Sequence, residues 1–529
     1  EISACLVGSE MCIRDRLSLL GMMAALIADK MRPGMVLFSV VVLFLCVGIL
    51  TPKEMLEGFS NKGMITVALL FLVSEGIRQS GTLGQVIKKL LPQGKTTVFK
   101  AQLRILPSVA FISAFLNNTP VVVIFAPIIK HWAKSVKLPA TKFLIPLSYV
   151  TILGGICTLI GTSTNLVVHG MILEAGYEGF TMFELGKVGI FIAIAGIIYL
   201  FIFSKRLLPD ARPDTAVPDE EVEEGEKLHR VEAVLGARFP GINKKLSDFN
   251  FQRHYGAEVK EIKTRNGQRY VDHLEDVVLR EGDTLVVMAD DTFIPTWGES
   301  SVFVLLTNGN DPDTSGKKKR WLALILLVLM IVGATVGELP ATKEMFPDIK
   351  LDMFFFVCIT TIIMAWTNIF PARKYTKYIS WDILITIACA FAISKAMVNS
   401  GVADCVAGFI IGLSDDYGPH VLLAILFVIT NLFTELITNN AAAALAFPLA
   451  LSISAQLGVS PTPFFVVICM AASASFSTPI GYQTNLIVQG IGNYKFTDFV
   501  RIGLPLNIIT FLILSLIHIS EPTRQAEIS

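Results

Sequence analysis

Residues 114–127 read AFLNNTPVVVIFAP, and in them three hydrogen-bonding residues, Asn117, Asn118 and Thr119, interrupt an otherwise apolar run. What such a break means depends on the solvent around it. The chain of 529 residues is 53% hydrophobic and only 17% charged, with mean hydropathy +0.61, far from the composition of soluble domains. Apolar runs approaching the ~20 residues that cross a bilayer recur along it, at 33–50, 188–203 and 321–336 among others. The expected class is a polytopic membrane protein. Formal net charge is zero, so charge gives no reason to expect nucleic acid as a partner.

The two ends are set apart. Residues 1–16, EISACLVGSEMCIRDR, and 514–529, LSLIHISEPTRQAEIS, can be encoded by opposite strands of one duplex, as a sequencing adapter read through in frame would be. Both are expected to be adapter-derived, and the apolar piece at 17–28 to be the remnant of a longer first helix. Outside these ends six cysteines, Cys46, Cys157, Cys358, Cys389, Cys405 and Cys469, are scattered without metal-ligand spacing and read as buried free thiols.

Composition divides the remainder. Residues 17–208 and 320–513 form two apolar halves. Between them lie an acidic, proline-containing linker at 209–227, a small α+β domain at 228–292 with strands at AEVKEIKT and DTLVVMA and a turn at RNGQR, and a polar linker at 293–319. Lys205 and Arg206 precede the insert, and Lys317, Lys318, Lys319 and Arg320 follow it. Short basic flanks stay in the cytoplasm, which places the insert there.

The halves are copies of each other. SEGIRQSG at 74–81 aligns with SKAMVNSG at 394–401, FLNNTPVVVIFAP with LITNNAAAALAFP so that Asn118 falls on Asn439, and GTSTNLVVHG at 161–170 with GYQTNLIVQG at 481–490. Residues 88–137 carry eight Lys or Arg and no acid, whereas 402–462 carry acids and no Lys or Arg. The positive-inside rule therefore orients the copies oppositely, the inverted arrangement of secondary transporters.

Length gives the interrupted stretch a shape. From 105 to 116 is twelve residues, ~18 Å of helix against a hydrocarbon core of ~30 Å. The expected form is a re-entrant hairpin with NNTP at its tip near midplane, repeated with TNN in the second half. Asn and Thr at such a tip cap the return helix or meet a ligand. Each hairpin is followed by a second interruption, GTSTN at 161–165 and STPIGYQTN at 477–485, which breaks the next helix. Two tips and two breaks converging at midplane offer helix N-termini to an anion and unwound carbonyls to a small cation. No Lys or Arg lies in the four stretches, so a bound anion would be held by N–H dipoles, Asn and Thr side chains and a co-bound cation. Glu435 is either a functional acid or a partner for the backbone near the tip. His169, whose repeat mate is Gln489, is expected to hydrogen-bond rather than relay protons, and Glu75 and Lys395 are equivalent positions that could pair.

With these motifs in view the membrane part resembles the divalent anion/sodium symporter family, the sodium-coupled sulfate and dicarboxylate carriers, which bear a Ser-Asn-Thr type signature at each tip and a Thr-Pro-Pro-Asn-like break after it. Here the central asparagines match and the flanking residues depart. The resemblance implies an all-α polytopic membrane fold of two inverted repeats, each with a re-entrant hairpin and a broken helix, with a small α+β domain inserted. It implies anion contacts from Asn117, Asn118, Thr119, Ser163, Thr164, Thr438, Asn439, Asn440, Gln483 and Thr484. Sodium sites would use Asn118, Gly161 and Asn165 in one half and Thr434, Asn439, Gly481 and Asn485 in the other. It further implies a homodimer in the cytoplasmic membrane working as an elevator, with Na+ as coupling ion and H+ left open. The insert, through GAEVKEIKTRNGQRY and LREGDTLVVM, resembles the TrkA-type C-terminal domain of potassium-conductance regulators, which implies either a small cytoplasmic ligand or a part in dimerisation and leans the substrate toward sulfate. An arsenite, citrate or proton-driven carrier and a ligand-gated channel are the alternatives. No HExxH, P-loop, nucleophile elbow or CxxC points to an enzyme.

Overall fold

The computed structural model describes residues 33–92, 94–210, 229–236, 238–264, 268–290, 302–307, 317–345, 349–412 and 419–520, with positions 21, 25, 293 and 297. Residues 1–16, nearly all of 17–28, most of the acidic linker and the centre of RNGQR lie outside them. Seven of the described helices are long and apolar enough to cross a bilayer.

The first half contains α1 (Pro33–Val47), α2 (Lys62–Gln79), the hairpin pair α3 (Val98–Phe115) and α4 (Asn118–Ser135), α5 (Leu144–Gly155), α6 (Ser163–Glu174) and α7 (Gly186–Leu207). After α8 (Lys317–Gly337) the same order recurs as α9 (Met353–Trp366), α10 (Trp381–Asn399), α11 (Val402–Gly412), which answers the short helix Thr82–Leu90 of the first half, the pair α12 (Pro419–Leu436) and α13 (Asn439–Leu457), α14 (Thr462–Ser473), α15 (Gln483–Gly492) and α16 (Phe496–Ser520). Packing exchanges the halves. α1 lies against α10 and α9 against α2, while α4 packs on α15 and α13 on α6. Neither half buries its apolar faces alone. The last helix continues through Ser520 into the stretch expected to be adapter-derived.

One expectation is corrected. The hairpin legs are longer than the apolar cores that suggested them: α3 and α4 have 18 residues each, ~27 Å of helix. Basic residues Lys100, Arg104, Lys130 and Lys134 occupy the outer turns, so counting apolar positions alone shortened the legs. Burial, not length, identifies the tip as internal: Asn118 is fully buried.

The insert is a five-stranded antiparallel sheet in the order β3-β2-β4-β1-β5, from β1 (His229–Leu235), β2 (Glu258–Lys263), β3 (Arg269–Tyr270), β4 (Thr284–Ala289) and β5 (Phe303–Thr307). β5 falls in the stretch 293–319 expected to be linker; its apolar run FVLLT pairs with β1 and extends the sheet beyond 292. Strand alternation gives the sheet two apolar faces. Val231, Ala233 and Leu235 pack into the insert's own core, whereas Val234 joins the core of the membrane part. On that docking face Glu232 accepts from Lys130 of α4 at 3.0 and 3.1 Å, with Lys263 at 3.5 Å. Gly282 and Thr284 rest on α15, where a methyl group added to Gly490 would strike the Thr284 hydroxyl. Glycine is required there because the strand meets the helix backbone.

Burial pushes the Glu232 carboxyl up, but Lys130, Lys263 and Arg230 more than reverse this and hold it at about 2, below its ordinary 4.5. A depressed carboxylate stabilises the fold above its unfolded pKa, and that contribution fades as pH falls from about 4.5 toward 2. Glu232→Ala, which leaves two lysines without their acceptor at neutral pH, is expected to loosen the docked sheet by about 2 kcal/mol. Amide exchange should quicken across β1 and β4 while α12 to α14 stay protected; unchanged exchange in β1 would contradict this.

Candidate substrate and cation site

Each hairpin turns in two residues, Leu116 and Asn117 before α4, Ile437 and Thr438 before α13. The tips cross to the opposite half. Asn118 Oδ1 accepts from the Tyr482 hydroxyl at 2.6 Å, and Thr119 Oγ1 donates to Gln483 Oε1 at 3.5 Å. In return Ser163 Oγ and Thr164 Oγ1 donate to Asn440 Oδ1 at 3.4 and 3.3 Å. Thr162 and Tyr482, equivalent positions of the two breaks, share a hydrogen bond of 3.1 Å. Two tips and two breaks thus meet in one buried polar cluster.

Four helices, α4, α6, α13 and α15, begin in this cluster. None of their N-cap residues, Asn117, Thr162, Thr438 and Tyr482, makes a side-chain cap hydrogen bond. The expectation that tip Asn and Thr cap the return helices is therefore corrected: Asn118, Thr119 and Asn440 reach the other half instead, and Asn117 lines a cavity. Four helix starts without side-chain caps concentrate N–H donors and partial positive charge, the usual chemistry of an anion site.

The halves hold their asparagines alike. Ser113 Oγ accepts from Asn118 Nδ2 at 2.8 Å and donates to the Thr151 carbonyl at 2.9 Å; likewise Thr434 Oγ1 hydrogen-bonds the Asn439 amide at 2.9 Å and donates to the Ala472 carbonyl at 2.6 Å. Asn165 Nδ2 ties off the carbonyls of Gly155 and Thr158, and Asn485 Nδ2 those of Ser475 and Thr478. Thr158 and Thr478 each donate to a carbonyl of the hairpin leg opposite, Ala114 and Glu435. Every pair is separated by 320 or 321 residues, so the sequence repeat is also a hydrogen-bond repeat.

Oxygen atoms crowd beside Asn118. Its Nδ2 faces Ser113 Oγ and the Thr151 carbonyl at 2.8 Å each and the Gly161 carbonyl at 3.3 Å, while its Oδ1 accepts from the Tyr482 hydroxyl at 2.6 Å, so the amide and these oxygens line one cradle. A methyl group on Gly155 would come within 2.5 Å of the Asn118 amide and 3.1 Å of the Gly161 carbonyl. Glycine keeps the cradle open. Asn165 Oδ1, close in sequence to this cradle, is buried without a partner. Uncharged oxygens of this kind suit a monovalent cation; among the described residues no cluster of three His, Cys, Asp or Glu could hold a metal. In the second half Ser475 takes the place of Gly155, and its hydroxyl fills the space beside Gly481 and the Thr434 carbonyl.

The remaining expected residues fall around this centre. Ser148 Oγ donates to Asn485 Oδ1 at 2.7 Å and shares a hydrogen bond of 2.9 Å with the Thr484 hydroxyl. Asn117 and Ser163 line a cavity with Ser74 and Leu327. Thr438 and Gln483 are exposed. Glu435 proves to be the backbone's partner: it accepts from Ser477 N and Thr478 N at 2.8 Å each, and from Asn507 Nδ2 of α16 at 2.8 Å. Glu75 pairs with Arg78 at 2.6 Å rather than with Lys395. His169 Nδ1 and both amide atoms of Gln489 are buried without partners, so the hydrogen-bonding role expected at that nitrogen is not seen. Of the cysteines Cys389 and Cys469 are buried and Cys46 and Cys405 exposed. Sequence reasoning passed over Ser113, Ser148, Ser475 and Tyr482, although the repeat register already set Ser113 against Thr434.

The pattern of the citrate transporter family matches residues 23–451 and again 345–526. The chain belongs to that family. It is 30% identical to an uncharacterised transporter of Synechocystis over 92% of this chain and 94% of that one. A probable sodium/sulfate cotransporter of Chlamydomonas reinhardtii is 32% identical over 55% of this chain and 32% of its own. Among solved structures the YdaH transporter of Alcanivorax borkumensis shares the fold, with TM-score 0.52 at 13% identity over 97% of this chain and 96% of that one. This protein is therefore a multi-pass membrane transporter, not an enzyme.

Glu435→Ala, which removes the acceptor of two adjacent backbone N–H groups, is expected to cost about 1–3 kcal/mol. The melting temperature of the purified protein should fall by several degrees; an unchanged value would show that water replaces the carboxylate.

Proposed function

We propose that this transporter is a sodium-coupled symporter of a small divalent anion, sulfate before a C4-dicarboxylate, working by elevator-type alternating access as a homodimer in the cytoplasmic membrane. The insert faces the cytoplasm in this reading and takes a small ligand there. The observation that carries it is the meeting of four helix N-termini, without side-chain caps and without Lys or Arg, beside the cradle formed by the Asn118 amide and the carbonyls of Thr151 and Gly161. An anion held only by dipoles needs a co-bound cation to offset the cost of its desolvation, and the Asn118 cradle supplies that cation's ligands. Thr119, Ser163, Asn440, Gln483 and Thr484 then contact the anion, while Thr434, Asn439, Gly481 and Asn485 form the second cation site. The similarity to a probable sodium/sulfate cotransporter supports both sodium and sulfate. The family description favours citrate as the second reading, with a proton in place of sodium.

Uptake into proteoliposomes under separately imposed sodium and proton gradients tests this. Labelled sulfate should accumulate with sodium directed inward and not with a pH gradient alone. Citrate accumulation driven by protons would select the second reading, and large unitary currents a channel.

Asn118→Ala and Asn439→Ala are expected to abolish sodium-dependent uptake while folded protein reaches the membrane. Normal transport by both would remove the assigned sites. Gly155→Ala, which pushes a methyl group into the oxygen cradle, should raise the sodium concentration needed for half-maximal uptake by at least tenfold; an unchanged requirement would show that the cradle is not a cation site.

A further inference from the structure

Residues 88–137 carry eight Lys or Arg and no acid, and the fold gathers part of that charge on one surface. On α3 Lys100 and Arg104 lie one turn apart, both exposed. Arg104 Nη2 donates to the Lys89 carbonyl at 3.0 Å, which sets the exposed Lys88 and Lys89, at the end of the short helix Thr82–Leu90, against the same turn of α3. Between Lys100 and Arg104 the buried Gln102 donates to Ser204 Oγ of α7 at 3.0 Å. Ser204 is followed by Lys205 and Arg206, also exposed. Three helices thus bring these basic residues to one level of the molecule, and among the described residues none of them forms an ion pair.

The surface between the charges is apolar. Phe99 and Leu103 stand beside Lys100 and Arg104 at 54% and 53% exposure, and Phe111, 69% exposed, continues their row along α3 toward the tip, since residues four apart share a helix face. Phe99 meets Phe201 of α7 edge-on at 6.0 Å, where Ile202 is exposed as well. A basic rim at the helix ends above an apolar row that runs into the bilayer is the complement of a phospholipid with an anionic head. Membrane orientation alone asks only for basic residues in the loops. It gives no reason for helix faces, for a shared level or for the exposed phenylalanines. An acidic peptide would meet the charges and leave Phe99, Leu103 and Phe111 uncovered.

We propose that the outer end of α3, with the short helix Thr82–Leu90 and the end of α7, binds anionic phospholipids of the cytoplasmic leaflet. The head groups lie on the six basic residues and the acyl chains along Phe99, Leu103 and Phe111. At its inner end the same helix carries Ser113, which accepts from Asn118, and the Ala114 carbonyl, which accepts from Thr158. Bound lipid therefore holds the outer end of the leg whose inner end shapes the polar centre. The inference goes beyond the transport reading and does not depend on the coupling ion.

The test is thermal unfolding of the purified full chain in detergent, titrated with dioleoyl phosphatidylglycerol or with dioleoyl phosphatidylcholine, which has the same chains and no net charge. A ligand raises the melting temperature of the fold that binds it. Phosphatidylglycerol is expected to raise that of the wild type by several degrees, less so in high salt, and phosphatidylcholine is not. The combined variant Lys88→Gln, Lys89→Gln, Lys100→Gln and Arg206→Gln leaves Arg104 and its bond to Lys89 in place. It should melt as the wild type does without lipid and need at least about tenfold more phosphatidylglycerol for the same rise, since each basic residue near an anionic surface contributes a factor of about five. Lys100→Gln with Arg206→Gln alone should shift in the same direction by less, and serves where the larger variant misfolds. Lys343→Gln with Lys350→Gln, exposed positions beyond the far end of α8, should respond as the wild type. Equal responses to the two lipids, or an unchanged response in the variants of the basic rim, overturn the proposal. So does a wild type that responds only once Glu220, Glu221, Glu223 and Glu224 are changed to Gln, which would give the surface to the acidic linker.

Discussion

A helix that breaks inside a membrane exposes amide and carbonyl groups that lipid cannot hydrogen-bond, and this fold depends on how two asparagines deal with that. Asn165 and Asn485 each bind two carbonyls of the unwound stretch just before their own helix. With those carbonyls tied, the breaks hold a fixed shape, and the hairpin tips of the opposite half can dock on them. Thr158 and Thr478 then stitch each break to its hairpin leg. The polar centre is a consequence of satisfying broken backbone by side chains, because the same ties that cost no water leave the helix starts facing one another.

Within that shared scaffold the two halves are not equivalent. Gly155 leaves open a space that the Ser475 hydroxyl fills in the other half. Ser148 supplies a proton to Asn485 Oδ1, while the equivalent of Ser148 in the second half is Cys469, and Asn165 Oδ1 has no partner. Thr162 faces Tyr482. Repetition provides one frame twice, and single substitutions within it give each half a different set of polar groups.

Much of this was legible in the sequence. The offset of 320 residues, the tips at Asn118 and Asn439 and the breaks at Gly161 and Gly481 could be read because polar residues in an apolar run stand out, and because a repeat doubles each signal. Helix ends were less legible. The outer turns of α3 and α4 carry lysine and arginine, which apolarity alone does not count as helix, and β5 hid in a stretch whose flanks resemble linker. The supporting residues were hidden for another reason. Ser113, Ser148 and Ser475 are small, and small polar residues occur throughout membrane helices, so their importance appears only when a partner from another helix comes within 3 Å. Glu435 was ambiguous in sequence because an isolated acid in an apolar leg reads as functional until its two backbone donors are seen.

The insert bears on the same centre from a distance. It holds α4 through the Lys130 to Glu232 pair and meets α15 at Gly490, two helices whose starts form the polar cluster. It also reaches the segment before α10, where Arg238 donates to the Ile379 carbonyl at 3.4 Å. α10 packs on α1 and also on α13, the return leg of the second hairpin. The sheet is thus tied to helices of the polar centre and to the segment leading into a helix that packs on one of them. The attachment at Glu232 is a partly desolvated charge pair and that at Ile379 a single hydrogen bond to a carbonyl, so the weaker of these two polar attachments lies on the α10 side.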